Sequence, residues 1–267
     1  MSLKDSGLQL PKGKQQYGQH FLSDPNYAMK VLEAIDQDLK NVNCLFEVGP
    51  GKGVLTTHFQ NLPTIDFYPV EIDQPMVDYL THHCPTIADQ IIKADFLKLG
   101  ITKTCPNRQI GIIGNFPYNI SSQIVFKVLD NRSAVELMTG MFQKEVGERI
   151  AAQPGSKTYG ILSVLTQAFY EVKLLFKVPP GAFAPPPKVW SVVIKMRKKA
   201  TQPFIQDTDV FFDVVKTAFN QRRKMLRNAL KKYEAGFAQI NTKLLHLRAE
   251  QLRVEDFVEV SNQLETS

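Results

Sequence analysis

Cysteine is scarce: Cys44, Cys84 and Cys105 are the three in 267 residues, and no C-x-x-C pair occurs. An odd number at wide spacing argues against a disulfide framework and against a structural zinc site, and fits a reducing compartment. His58, His82, His83 and His246 show no ligand spacing with a cysteine or carboxylate, so no metal is expected. Long apolar runs are also missing; none approaches the roughly 20 residues of a membrane helix. The opening MSLKDSGLQLPKGKQQ lacks the apolar stretch of a secretory leader. These absences together suggest a soluble, cytoplasmic protein. No internal repeat or low-complexity tract is visible. Acids are absent from one place above all: from Lys216 to Lys232 there are Lys216, Arg222, Arg223, Lys224, Arg227, Lys231 and Lys232 and no Asp or Glu. With a net charge of +6, and with Lys4, Lys12 and Lys14 in the N-terminal arm, the chain leans toward polyanions.

What is present alternates strand and helix patterns. SDPNYAMKVLEAIDQDL has a capping Ser23 or Asp24, Pro25 in the first turn, and apolar Ala28, Val31, Leu32 and Ile35 at helical spacing. NCLFEV, DFYPVEI, QIIKADFL and RQIGIIGNFPYNI read as strands, with QPMVDYLTHHC and SSQIVFKVLDN as helices between or after them. AVELMTGMF reads as a further strand, QKEVGERIAA and GILSVLTQAFYEV as helices, and KLLFKV and KVWSVVIKM as strands around a proline-rich loop. This is the pattern of an α/β fold with a mostly parallel sheet covered on both faces. The last two strands are joined too closely for a crossover helix, so they should form an antiparallel pair at one edge. After Lys199 the pattern is purely helical: DVFFDVVKTAFNQ, KMLRNALKKY, LHLRAEQL and VEDFVEVSNQL. Residues 1–199 are therefore expected to form one domain and 200–267 a small all-α second domain.

LFEVGPGKGVLT puts Gly49, Gly51 and Gly53 between a strand and a helix, where the backbone must turn tightly and a ligand can approach closely. The spacing is G-x-G-x-G rather than the dinucleotide G-x-G-x-x-G, and a tight strand–helix connection alone would use the same residues. Two acids strengthen the ligand reading. Glu71 ends the next strand, where a carboxylate can accept from ribose hydroxyls, and Asp95 ends the third, where it can accept from an adenine amine. All three features fall at the carboxyl ends of strands, the side on which open α/β sheets bind ligands. A nucleoside-bearing cofactor is the reading that joins them.

The fourth strand ends on Asn115, Phe116, Pro117 and Tyr118. The Asn115 side-chain carbonyl and the backbone carbonyl at Pro117 can both face an incoming amine, and Pro117 stiffens the turn. Tyr118 offers a face for a base, and base–aromatic stacking contributes about 1–3 kcal/mol. An adenine amine is a poor nucleophile because its lone pair is delocalised into the ring. Two fixed acceptors that hold its hydrogens out of plane localise that pair toward an electrophilic methyl group. Strand alternation turns Phe116 away from Asn115, toward packing.

The chain resembles the ribosomal-RNA adenine dimethyltransferases, specifically the KsgA-like small-subunit enzymes. The resemblance rests on GQHFL (18–22), EVGPGKGVLT (47–56), EID (71–73), ADF (94–96), NFPYNI (115–120), FQKEVGERI (142–150), FAPPPKVWSVV (183–193) and FNQRRKMLRNAL (219–230), in order over nearly the whole chain. It implies a Rossmann-like class I methyltransferase domain using S-adenosylmethionine. The implied reaction dimethylates two adjacent adenosines near the 3′ end of small-subunit rRNA, in a preassembled subunit. Carried over by position, His20 and Leu22 border the methionine end of the cofactor, Gly49 and Gly51 its turn, Glu71 its ribose and Asp95 its adenine amine. Asn115 lies between cofactor and target base, and Phe183 stacks on that base opposite Tyr118. Two positions depart from the family pattern: His20 stands where many members have Asn, and Phe116 where an aliphatic residue is frequent. Read from the residues themselves, Trp190 alternates with Val189, Val192 and Ile194 and belongs in a core or interface. Arg222, Arg223, Lys224, Arg227 and Lys231 recur partly at i, i+4, giving one positive helix face for rRNA phosphates. A monomer is the default. Two other readings stand beside this one: a methyltransferase acting on large-subunit rRNA or DNA adenine, and a non-catalytic ribosome-assembly or transcription factor on the same fold.

Overall fold

The computed structural model describes residues 20–264 except Gln37, Asn61 and Pro63; the arm carrying Lys4, Lys12 and Lys14 lies outside the described residues. β1 (Phe21–Leu22) leads into α1 (Pro25–Asp36), which buries Ala28, Val31, Leu32 and Ile35 as their spacing predicts. The fully buried β2 (Cys44–Val48) enters the glycine turn and the short α2 (Thr56–Phe59). There follow β3 (Asp66–Glu71), α3 (Gln74–His83), β4 (Ile92–Lys93), α4 (Ile101–Thr104), β5 (Ile110–Asn115) and α5 (Ser121–Asp130). Next come β6 (Val135–Gln143), α6 (Lys144–Ile150), α7 (Ile161–Phe169), β7 (Tyr170–Val178), β8 (Phe183–Ala184) and β9 (Ser191–Lys198). The C-terminal helices are α8 (Thr208–Asn220), α9 (Leu226–Ala229), α10 (Thr242–Leu245) and α11 (Val254–Asn262).

Seven strands make one sheet in the order β4-β3-β2-β5-β6-β9-β7, parallel from β4 to β6, with β9 antiparallel to both β6 and β7. The antiparallel edge is the one the short connection predicts. Side chains alternate between two cores, as the pleat requires. Cys44, Phe46 and Val48 of β2 and Ile110 and Ile112 of β5 face α5, α7 and the C-terminal helices, while Leu45 and Ile113 face α1. Burial on both faces explains why β5 reads as a continuous apolar run. The chain order reverses at β2 and β5: β3 and β4 lie to one side, β6 to the other. This switch point opens a crevice at the carboxyl ends, between the glycine turn after β2 and Asn115 at the end of β5. The C-terminal helices share their core with the sheet, since Phe211, Leu226 and Phe257 belong to the same buried cluster as Phe46 and Ile112.

Several expectations are corrected. Cys44 and Cys105 form a disulfide, and Cys84 is free and buried. They are 61 positions apart, but β2 and β5 are neighbours, so the segment entering β5 runs beside the start of β2. Spacing in sequence cannot reveal a contact made by parallel pairing, and the cysteines therefore give no support to a reducing compartment. The third strand is only Ile92–Lys93: Ala94 N–H still donates to the Glu71 carbonyl, and then Asp95 Oδ1 accepts from Leu97 N–H and turns the chain. The helix expected through Val172 stops at Phe169; Tyr170 begins β7, buried, with its hydroxyl donating to the Val135 carbonyl. Residues 221–224 form a turn between α8 and the short α9 (Leu226–Ala229), and Lys231 already belongs to the 3-10 helix that follows, so no single helix presents the predicted positive face. Trp190 precedes β9 and is exposed, so it is not a core residue. Among the described residues no helix is long and apolar enough to cross a membrane.

Candidate active site

The crevice holds a cavity of about 170 Å³, partly open to solvent. Its walls come from the ends of β2, β3 and β5 and the loop after β4: Gly49, Gly51, Glu71, Asp95, Asn115, Pro117 and Tyr118, together with His20. The predicted residues from five separate stretches of sequence are thus brought together. Gly49 and Gly51 have φ of +65° and +54°, the left-handed region that an L side chain rarely adopts. At Gly51 a Cβ would also lie 2.7 Å from the Phe21 ring, so the turn accepts no side chain there.

Glu71 is buried, and its Oε1 accepts from the backbone N–H groups of Ile72 (2.9 Å) and Asp73 (3.0 Å). Its Oε2 takes only a longer bond, 3.3 Å, from Gly51 N–H, which leaves acceptor capacity facing the cavity. Burial raises its carboxyl above the usual range, the three backbone N–H bonds pull it back, and the nearby Asp73 charge raises it further. A fixed acceptor with spare lone pairs and no cationic partner suits a ligand's hydroxyl groups. Asp95 also lines the cavity; its Oδ1 is used by Leu97 N–H, and Oδ2 has only a distant Lys98 ammonium at 4.0 Å. Ile72 and Phe96 add apolar walls beside these acids. The set fits an adenosine-bearing cofactor.

Asn115 is held by one decisive contact: its Nδ2 donates to the His20 carbonyl at 2.6 Å. The amide nitrogen is thereby committed, and the carbonyl oxygen is the end left for a ligand. His20 is itself fixed, donating from Nδ1 to the Pro185 carbonyl at 2.9 Å, and its ring lies 5.5 Å from that of Tyr118. The Tyr118 hydroxyl shares a 2.5 Å hydrogen bond with Ser191 Oγ, which locks the ring. Burial raises the phenol above its ordinary value against the pull of that bond, so Tyr118 offers a neutral aromatic face. Phe116 packs as alternation predicts: it is 1% exposed and meets Phe142 edge-on at 5.0 Å. Gly140 makes room for it, since a Cβ there would stand 2.4 Å from the ring.

Other candidates are placed elsewhere. Leu22 is buried and borders a smaller adjoining cavity with Phe21, Glu47, Gly49 and Asn115. Phe183 does not line the main cavity; it is 3% exposed, in β8, paired with Leu22 of β1 and packed into the core on the α1 side. Arg222 is engaged within the chain, paired with Glu250 and bonded to the Ser156 carbonyl. Arg223, Lys224 and Arg227 are exposed, and none makes an ion pair among the described residues.

Glu47 was given no role by sequence. It is the penultimate residue of β2, 2% exposed, and accepts a 2.7 Å bond from Thr56 Oγ1. Burial pushes its carboxyl up to about 8, against the Thr56 bond and with a smaller push from the Glu71 charge. An acid inside an otherwise apolar strand was the available signal.

Residues 11–266 match the family model described as ribosomal RNA adenine dimethylase. The chain is 46% identical over 254 residues to the ribosomal RNA small subunit methyltransferase A of Flavobacterium johnsoniae, covering 95% of this chain and 96% of that one. It is 46% identical over 261 residues to the protein of the same name from Bacteroides fragilis, covering 97% and 94%. Among solved structures, a dimethyladenosine transferase from Plasmodium falciparum superposes with a TM-score of 0.75 at 24% identity, over 90% of this chain and 96% of that one. The 23S rRNA methyltransferase ErmE gives 0.66 at 22% identity, over 91% and 99%. These two likenesses establish the class I methyltransferase fold.

Proposed function

The chain belongs to the ribosomal RNA adenine dimethylase family, and from that premise we propose how its own residues carry the reaction. It is an S-adenosylmethionine-dependent rRNA adenine dimethyltransferase of the small ribosomal subunit. Two adjacent adenosines near the 3′ end of the 16S rRNA are its target. When bound, the cofactor supplies a methyl group on a sulfonium centre. Glu71 holds the ribose hydroxyls, Asp95 accepts from the adenine amine, and Gly49 and Gly51 let the backbone close on the ligand. The target adenosine leaves its stack to reach the cavity, as base-modifying enzymes require. Its ring lies on Tyr118, and the Asn115 Oδ1 and the backbone carbonyl at Pro117 accept the two amine hydrogens, turning the nitrogen lone pair toward the methyl. The nitrogen would take the methyl as the sulfur–methyl bond breaks and sulfur keeps its electron pair, and would then give one proton to water, since neither Asn115 nor Pro117 can take it. A second turnover on the same amine gives the dimethyl product. Phe183 completes a sandwich around the base only if the β1–β8 pair parts, because the ring is otherwise buried.

Arg223, Lys224 and Arg227 meet rRNA phosphates, which position the enzyme without reading sequence, and Arg222 joins them only by leaving Glu250. The C-terminal segment from residue 200 is the docking element, on a preassembled small subunit in the cytoplasm, and the enzyme is a monomer. The observation that carries the reading is the Asn115–His20 bond, which aims a carbonyl oxygen into a cavity already walled by Glu71 and Asp95. No observation favours a non-catalytic factor or a DNA or large-subunit substrate. The test is methyl transfer from labelled S-adenosylmethionine to unmethylated small subunits, large subunits and DNA in parallel. Label is expected in small subunits; label only in large subunits or DNA would overturn the reading.

A further inference from the structure

We infer that Trp190 is a stacking platform for a nucleobase next to the target adenosine, holding the RNA while its neighbour is in the cavity. Single exposed tryptophans are common and need no partner. This one differs in where it stands and how firmly. It is the sole tryptophan of the chain, 49% exposed, beside Val189 at 43%. The segment that carries it is fastened to the site on both sides: the Pro185 carbonyl accepts from His20, and Ser191 Oγ bonds the Tyr118 hydroxyl. The Trp190 carbonyl itself accepts from Lys144 N–H at the start of α6, at 2.9 Å. Ser191 pairs with Gln143 at the carboxyl end of β6, so Trp190 sits on the same sheet edge as Asn115 at the end of β5.

The inference rests on the reaction proposed above and deepens it. Dimethylation of two adjacent adenosines leaves one base outside whenever the other is inside. That base has lost a stacking neighbour, and an aromatic face on the same sheet edge as Asn115 replaces it. The backbone of Trp190 is held before RNA arrives, which lowers the ordering cost of binding. The surroundings favour a nucleic acid over a protein surface. Lys188 is exposed and unpaired among the described residues. The acids of α6 are already turned to bases, Glu148 to Lys144 at 3.8 Å and Glu145 to Arg149 at 3.2 Å.

The experiment compares wild type with Trp190→Ala, Trp190→Phe and Trp190→Leu. It measures kcat and KM for unmethylated small subunits and, separately, S-adenosylmethionine affinity. Loss of one base–aromatic stack is expected to raise the KM of the Ala variant about tenfold or more, with kcat and cofactor affinity within twofold. Phe should restore KM to within about threefold, while Leu should not. An Ala variant with wild-type KM would overturn the inference. Leu restoring as well as Phe would also overturn it, and would assign the residue to an apolar protein contact. Wild type that fails to methylate small subunits would instead sink the proposed function, and this inference with it.

Discussion

Asn115→Ala should lower kcat about 10²- to 10³-fold while leaving S-adenosylmethionine affinity within a few-fold. The expectation follows from what the side chain is asked to do. The amine nucleophile needs its lone pair localised, and a preorganised carbonyl dipole does this in proportion to how well it is fixed before the substrate arrives. The His20 carbonyl fixes it by taking the Asn115 amide nitrogen. Removing the side chain deletes the acceptor but leaves Glu71 and Asp95, the two acids proposed to hold the cofactor, untouched. Single-turnover transfer to small subunits, alongside calorimetric cofactor titration, separates the two effects. Turnover retained near wild type would end the proposed role of Asn115; a lost cofactor site would make it a packing residue.

The second large effect lies in stability against pH. Burial pushes the Glu47 carboxyl up to about 8 in the fold, from an ordinary value of 4.5. A raised carboxyl means that the folded state binds the proton more tightly than the unfolded chain. Its contribution is therefore fully present below about pH 4.5 and is lost as pH rises through about 8. The loss amounts to a few kcal/mol at most, on the order of 5–10 °C in Tm for a chain of this size. Glu47→Gln keeps the shape and an acceptor for Thr56 but cannot ionise. Between pH 5 and 8.5 the variant should lose less stability than wild type and melt higher at the alkaline end. A residual slope is expected from Glu71, which burial also raises. Parallel melting curves for the two proteins would contradict the account of Glu47.

Those two residues mark where sequence reading succeeds and where it stops. Asn115, Glu71 and the glycine turn were legible as cavity positions because each sits at the end of a strand with a clear apolar run, and the ends of parallel strands share one edge; Asp95 reaches the same edge from the turn after the two-residue β4. Phe116 was legible by alternation alone. Glu47 was not, since its role comes from being buried against Thr56 and near Glu71, and no spacing encodes that. The Cys44–Cys105 bond likewise depends on β2 and β5 being neighbours. Phe183 and Leu22 are taken up by a two-strand pairing that neither segment signals. The basic run from Arg222 to Lys231 looked like one helix face because its charges fit i, i+4. The chain instead turns at 221–224, and Glu250, distant in sequence, takes Arg222.

An adenine amine aligned in the cavity twice on the same nitrogen leaves a product of defined chemistry. The most direct measurement is mass analysis of nucleosides from unmethylated small subunits incubated with the enzyme and S-adenosylmethionine. The account predicts N6,N6-dimethyladenosine at two adjacent positions of the small-subunit rRNA. Methylation confined to ribose, to a ring atom or to another base would contradict it.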